Sequence, residues 1–74
     1  GQRRSKTTAI ARQISMYLMR NLTNLSLVDI GNQYEGRNHS TVLSSIRKIE
    51  EMIKKDDNIA STVRDISSNI NPRS

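Results

Sequence analysis

The sequence contains no cysteine, no phenylalanine and no tryptophan. Without cysteine the chain has no disulfide framework, no thiolate zinc site and no cysteine nucleophile, and this composition favours an intracellular setting. No apolar run approaches the roughly 20 residues that cross a bilayer, and the basic start lacks the hydrophobic segment of a signal peptide. We therefore expect a small soluble domain.

The sequence also lacks the patterns typical of enzymes and metal sites. It has no glycine-rich phosphate loop ending in Gly-Lys-Ser/Thr, and its acidic residues are scattered. The only histidine, His39, precedes Ser40, but sequence neighbours at a helix start point in different directions, and no acid is placed to orient the imidazole. One histidine without cysteines is too few ligands for a zinc site. We expect neither catalysis nor a cofactor in this chain.

Positive charge is the main chemical feature of the composition. Twelve Lys and Arg residues against seven Asp and Glu residues give a formal charge of +5, which favours a polyanionic partner, nucleic acid before an anionic membrane. The first twenty residues contain no acid and carry these basic residues: Arg3, Arg4, Lys6, Arg12 and Arg20. The alternative interpretation is a solvated helix face with a disordered tail. The opening GQRRSK is typical of a linker, so we expect a fragment of a longer protein.

Apolar periodicity predicts one all-α domain over residues 1–74, with a basic arm at 1–7 and four helices at about 8–22, 26–35, 38–55 and 58–70. The predicted buried face of the first helix consists of Ile10, Ile14, Tyr17 and Leu18. A row spaced by four residues, flanked by Gln13, is predicted to face outward: Arg12, Met16 and Arg20.

The other three helices have start and stop signals of their own. Ser26 and Asp29 form a capping pattern for the second helix, in which Leu27, Ile30 and Tyr34 face inward. Gly31 is expected to permit a close crossing with a neighbouring helix, and Gly36 to end the second helix in a left-handed conformation. The predicted buried stripes are Val42, Ile46, Ile49 and Ile53 in the third helix, and Ile59, Val63, Ile66 and Ile70 in the fourth. One of residues 56–58 is expected to cap the start of the fourth helix, and Asn71-Pro72 is expected to end it.

The second and third predicted helices, joined by a short glycine-containing turn, have the layout of a helix-turn-helix. In that motif the N-terminal residues of the second helix enter the major groove of DNA. Here these residues are Asn38, His39, Ser40 and Thr41, whose amide, imidazole, hydroxyl and methyl groups suit base edges and phosphates. The alternative is that Asn38 or Ser40 only caps the helix while His39 lies in solvent.

The stretch GRNHSTVLSSIRKIE closely resembles the signature of the DnaA family of bacterial chromosomal replication initiators, Gly-Arg-Asp-His-Thr-Thr-Val followed by Lys-Ile. Upstream, ARQISMYLMRNLTNLSLVDIG is similar to further landmarks of that family, in order and without gaps. The resemblance extends from about Arg3 to about Ile53. It implies a Trp-repressor-like helix-turn-helix that binds double-stranded DNA at short asymmetric boxes of the replication origin and some promoters, in the bacterial cytoplasm at the nucleoid.

The resemblance also implies roles for individual residues. Arg4 in the arm would enter the minor groove. Bases in the major groove would be contacted by Leu27, Val28, Asn38, His39, Ser40 and Thr41. Phosphates would be contacted by Lys6, Arg12, Gln13, Arg20, Asn24, Ser26, Leu43 and Lys48.

Three positions depart from the usual family pattern. Asn38 stands where the family usually has Asp, and so exchanges an acceptor-only carboxylate for an amide that also donates. Val28 stands where relatives often have Pro, and Ser40 where they usually have Thr. These changes bear on the preferred box.

The resemblance further implies one monomer per box, with self-assembly of the full-length protein through other domains. ATP and magnesium would belong to an ATPase module outside this chain, and acidic phospholipids or regulatory proteins are further candidate partners. Two rival functions are a dimeric transcriptional repressor with a palindromic site and a protein-interaction or acidic-lipid module that uses the basic face.

Overall fold

Four helices make up the computed structural model, which describes the backbone of residues 2–70 and the side chains of residues 9–70. They are α1 (Gln2–Leu22), α2 (Leu27–Asn32), α3 (His39–Lys55) and α4 (Asp57–Ile70). The described residues include no strand, so the predicted all-α fold is confirmed. None of these helices is long and apolar enough to cross a membrane.

The third helix packs against each of the other three. Its predicted stripe is confirmed, because Val42, Ile46 and Ile49 are buried and Ile53 is half-buried. Lys54 and Lys55 lie in its last turn, where positive charge is favourable near the carbonyl end. This helix therefore forms the centre of the domain.

The buried side chains form two clusters that share α1 and α3. The first joins α1, α3 and α4 and consists of Ile14, Leu18, Ile49 and Val63. The second joins α1, α2 and α3 and consists of Met16, Ile30, Val42 and Ile46. Tyr17 packs against both clusters. Aliphatic and methionine side chains at helical spacing thus build both clusters.

The outward row predicted on α1 is wrong at its centre, because Met16 is only 1% exposed. Since α1 packs against α4 and also against α2, it needs an apolar side chain toward each of them. Met16 faces the second cluster, while Arg20 at the end of the row is exposed and Arg12 is half-buried. A periodicity argument that assumes one buried face cannot find the second.

The first helix also begins earlier than predicted. Its helical backbone starts at Gln2 rather than near Thr8, so the segment predicted as an arm continues α1. Residues 2–7 contain no Gly or Pro, and Gln, Arg and Lys are among the better helix formers, so nothing local stops the helix there. The side chains of residues 1–8, Arg4 and Lys6 included, lie outside the described part.

The second helix ends at Asn32, three residues before its predicted end. The Tyr34 N–H donates to the Gly31 carbonyl at 2.9 Å, which closes a tight turn instead of another helical turn. Gly36 does adopt the expected left-handed conformation, with φ 72°, but it follows Glu35, which has φ 62°. The chain therefore leaves α2 through a turn with two successive left-handed residues.

Gly31 does mark a close approach, although its nearest neighbour is the connecting turn, with α3 in ordinary contact behind it. A Cβ at residue 31 would overlap the Arg37 carbonyl oxygen and lie 3.4 Å from Val42 Cγ2. The Arg37 N–H in turn donates to the Gly31 carbonyl at 3.1 Å. The backbone of the turn is thus packed directly on α2.

The fourth helix starts where Asp56 Oδ1 accepts hydrogen bonds from the Asn58 and Ile59 N–H groups, at 2.9 and 3.3 Å. Val63 is buried, but Ile70 is 61% exposed, contrary to its predicted place in the buried stripe. Ile70 is the last described residue of α4, beyond its best-packed turns. The predicted stop at Asn71-Pro72 lies outside the described residues.

We predict that Gly31→Ala lowers the free energy of unfolding by about 1 to 3 kcal/mol, because the added methyl group must displace the Arg37 carbonyl. Urea denaturation followed by circular dichroism measures this loss. Asn32→Ala, at the exposed neighbouring position, is the control and should change stability by less than about 0.5 kcal/mol. Equal denaturation midpoints for Gly31→Ala and wild type would contradict the close approach.

Candidate nucleic-acid interface

The second and third helices pack against each other through the second core cluster and are joined by residues 33–38. The two hydrogen bonds to the Gly31 carbonyl, from Tyr34 and Arg37, fold the turn back over the end of α2. Two packed helices with such a turn between them form the predicted helix-turn-helix.

The first turn of α3 presents polar groups to solvent. Asn38, His39, Ser40 and Thr41 are all exposed, and the next residue, Val42, is completely buried. No acidic residue lies in this turn, so the positive end of the helix is not neutralised there. The structure thus brings the four predicted base-contacting residues of α3 together on one exposed turn.

Asn38 is the N-cap of α3, with φ −74° and ψ 163°. Its Oδ1 atom accepts a hydrogen bond from the Thr41 N–H at 2.9 Å, and its backbone carbonyl accepts one from Val42 at 3.2 Å. Of the alternative that Asn38 or Ser40 only caps the helix, the capping by Asn38 is confirmed, and this hydrogen bond uses the oxygen of its side chain. The Asn38 side chain remains exposed, so capping and DNA contact are compatible.

The start of α2 is capped as predicted. The Asp29 N–H donates to Ser26 Oγ at 3.1 Å, and the Ser26 N–H donates to Asp29 Oδ2 at 3.4 Å. The two apolar residues between Ser26 and Asp29 differ in exposure: Leu27 is half-buried against the second cluster, whereas Val28 is 57% exposed. Of this pair, Val28 is the more available for contact with a partner.

A small pocket of about 150 Å³ holds two guanidinium-bearing residues, Arg12 from α1 and Arg37 from the turn. It is completed by Gln33, Tyr34 and Glu35. Sequence reasoning assigned a phosphate contact to Arg12 but none to Arg37, which follows the left-handed Gly36. The place of Arg37 directly after Gly36 could have indicated that it lies near Arg12, because a sharp turn at the glycine returns the chain toward α1.

The remaining predicted phosphate contacts are distributed along three elements. Arg20 Nη1 donates to the Leu25 carbonyl at 3.1 Å, which ties α1 to the connection that carries the exposed Asn24. Gln13 is half-buried, and its Oε1 atom is buried without a hydrogen-bond partner in the described part of the chain.

On α3, Lys48 is exposed and Leu43 is half-buried. Lys48 lies seven residues after Thr41, so both residues lie on one face of the helix, about 10 Å apart along its axis. The roles of all these residues remain predictions.

The family model described as the bacterial DnaA protein helix-turn-helix matches residues 1–49. The chain belongs to this DnaA family. It is also 49% identical over 69 residues to the chromosomal replication initiator protein DnaA of Lachnoclostridium phytofermentans, an alignment that covers 93% of the chain and 15% of that relative. The chain thus spans a small part of this DnaA protein's length. No solved structure matches the chain.

The DnaA-family match includes α2, the turn and α3 as far as residue 49. The Asn38 cap therefore lies inside the matched region. The resemblance drawn from the sequence places Asn38 where Asp is usual, and both side chains are favoured N-caps because each places an oxygen near the amides of the first turn. The departure at Asn38 thus leaves the start of this DnaA-type helix intact.

We predict that Asn38→Ala lowers the free energy of unfolding by about 1 kcal/mol, because Thr41 loses its capping acceptor. Thermal or urea unfolding measures the change. Ser40→Ala serves as the control for the same helix turn and should stay within about 0.5 kcal/mol of wild type. A larger loss of stability from Ser40→Ala than from Asn38→Ala would contradict the assignment of the cap to Asn38.

Proposed function

We propose that this domain binds double-stranded DNA at short asymmetric boxes and thereby serves the initiation and regulation of chromosomal replication. The observation that carries the proposal is the exposed polar turn Asn38–Thr41, which is attached directly to the core by the buried Val42. A rigidly mounted helix start of this kind fits the major groove, where the first residues of a recognition helix contact base edges.

Base discrimination comes from the first turn of α3. The imidazole of His39 and the hydroxyl groups of Ser40 and Thr41 can donate to or accept from base edges, and the Thr41 methyl group can pack on a thymine methyl. Val28 adds an exposed apolar surface at the start of α2, and Leu27 a smaller one. Together these groups supply sequence preference, since phosphate contacts alone carry none.

Affinity comes mainly from positive charge near the phosphates. Arg12 and Arg37 line one pocket together with Glu35, and both arginines are assigned to the DNA backbone on that side of the domain. Further phosphate contacts are assigned to Lys6, Gln13, Arg20, Asn24, Ser26, Leu43 and Lys48. Arg4 is assigned to the minor groove. With a formal charge of +5 on the chain, binding should weaken steeply with salt, by a slope of roughly −0.9 per neutralised phosphate.

In this proposal, the binding of ATP and magnesium and the self-assembly of the protein are assigned to other domains of a full-length initiator. Acidic phospholipids and regulatory proteins remain candidate partners of the basic surface.

We predict that His39→Ala and Thr41→Ala each reduce the preference for the box over random duplex by about 1 to 3 kcal/mol, because a base contact is lost. Arg12→Ala should instead weaken binding to both duplexes alike. It should also reduce the slope of the logarithm of the binding constant against the logarithm of salt concentration by about 1, the contribution of one phosphate contact. Fluorescence anisotropy titrations at several salt concentrations measure these effects, on a box obtained by selection from a random pool.

Arg64→Ala is the charge-matched control for Arg12→Ala, because Arg64 is exposed on α4, outside the helix-turn-helix. It should have a smaller effect on both duplexes. Equal losses on box and random duplex from His39→Ala would remove the base-contact assignment. Indifference of the wild-type protein to duplex sequence would favour the interaction or acidic-lipid module instead.

We predict one protein per box, because an asymmetric site offers no second equivalent half for a symmetric dimer. Sedimentation velocity with a single labelled box measures the stoichiometry, with the free protein and free duplex as references. A complex of two proteins per duplex, together with a palindromic selected site, would support the dimeric repressor.

A further inference from the structure

The two polar ends of the Asn38 amide have different surroundings. Oδ1 is directed at the Thr41 N–H, 2.9 Å away, within the cap of α3. Nδ2 has no hydrogen-bond partner in the part of the chain whose side chains the structure describes, and Asn38 is exposed. The amide is therefore divided into an inner acceptor in use and an outer donor that is free.

The cap also determines which way the amide is turned. A backbone N–H can only donate, so the atom that faces Thr41 must be the oxygen and the outward atom must be the nitrogen. A bidentate contact with adenine needs both the oxygen and the nitrogen of an asparagine amide. While the cap is formed, the Thr41 N–H uses one of the two lone pairs of Oδ1, and Nδ2 is the outward group.

We propose, on the basis of the proposed function, that Asn38 discriminates between bases through its outward Nδ2 donor, and that it disfavours cytosine at the base edge it faces. Guanine, thymine and adenine each carry an acceptor on their major-groove edge, whereas cytosine offers only its 4-amino donor. A donor held against a donor leaves both unpaired, so cytosine is the disfavoured base.

Aspartate at residue 38 should reverse this preference without disturbing the fold. One carboxylate oxygen can cap Thr41 as the amide oxygen does, and the second oxygen then replaces Nδ2 on the outward side. The outward group changes from a donor to an acceptor at nearly constant shape. Asn38→Asp is therefore a closer test than truncation, which would also remove the cap.

The test is a selection of bound duplexes from a random pool with the wild-type domain and with Asn38→Asp. At one position of one strand, the variant should recover cytosine where the wild type recovers guanine, thymine or adenine. Titration of the two duplexes should then show that each protein prefers its own by about 5- to 150-fold. Replacing that cytosine by 2-pyrimidinone, which lacks the 4-amino group, should abolish the variant's preference.

Asn58→Asp is the matched control, because Asn58 is exposed in the first turn of another helix, α4, and the substitution adds the same charge. It should lower affinity slightly for every duplex and leave the selected sequence unchanged.

Two results would overturn this role of Asn38 and leave the proposed function standing. One is selection of the same base at every position by wild type and Asn38→Asp. The other is undiminished binding of the variant to the 2-pyrimidinone duplex. If neither protein selects any sequence, the proposed function fails and this inference fails with it.

Discussion

Val42 is completely buried one residue after the four exposed polar residues that open α3, and this junction connects the core to the candidate interface. The side chain lies in the second cluster with Met16, Ile30 and Ile46, so three helices hold it in place. The exposed turn therefore takes its position from apolar packing. Its polar groups, apart from the cap, remain free for a partner because they are not needed to support the fold.

The close contact between α2 and the turn determines how the two helices of the motif are arranged. Gly31 leaves room for the Arg37 carbonyl, and the Arg37 N–H bonds back to Gly31. The left-handed backbone at Glu35 and Gly36 reverses the chain just before this contact. The reversal brings Arg37 into a pocket that Arg12 of α1 and Glu35 also line, so a turn built by backbone constraints also gathers charged side chains.

Features that depend on local hydrogen bonds or on one repeating stripe were predictable. The caps at Ser26 and Asn38 use side chains only a few residues from their partners, and the stripe of α3 follows directly from helical spacing. Met16 was not predictable in this way, because its burial depends on where α2 packs against α1. The pocket that Arg37 lines together with Arg12 was not predictable for a similar reason, since Arg12 is 25 positions earlier in the chain.

The amino-acid sequence by itself determined the helical class, the capped helix starts, the excess of positive charge and the family, because each depends on composition or short-range order. Only the tertiary structure decided the two-sided burial of α1, the early end of α2 and the shared pocket of Arg12 and Arg37. These features arise from contacts in folded space, where packing and hydrogen-bond geometry select among conformations that residue order alone leaves open.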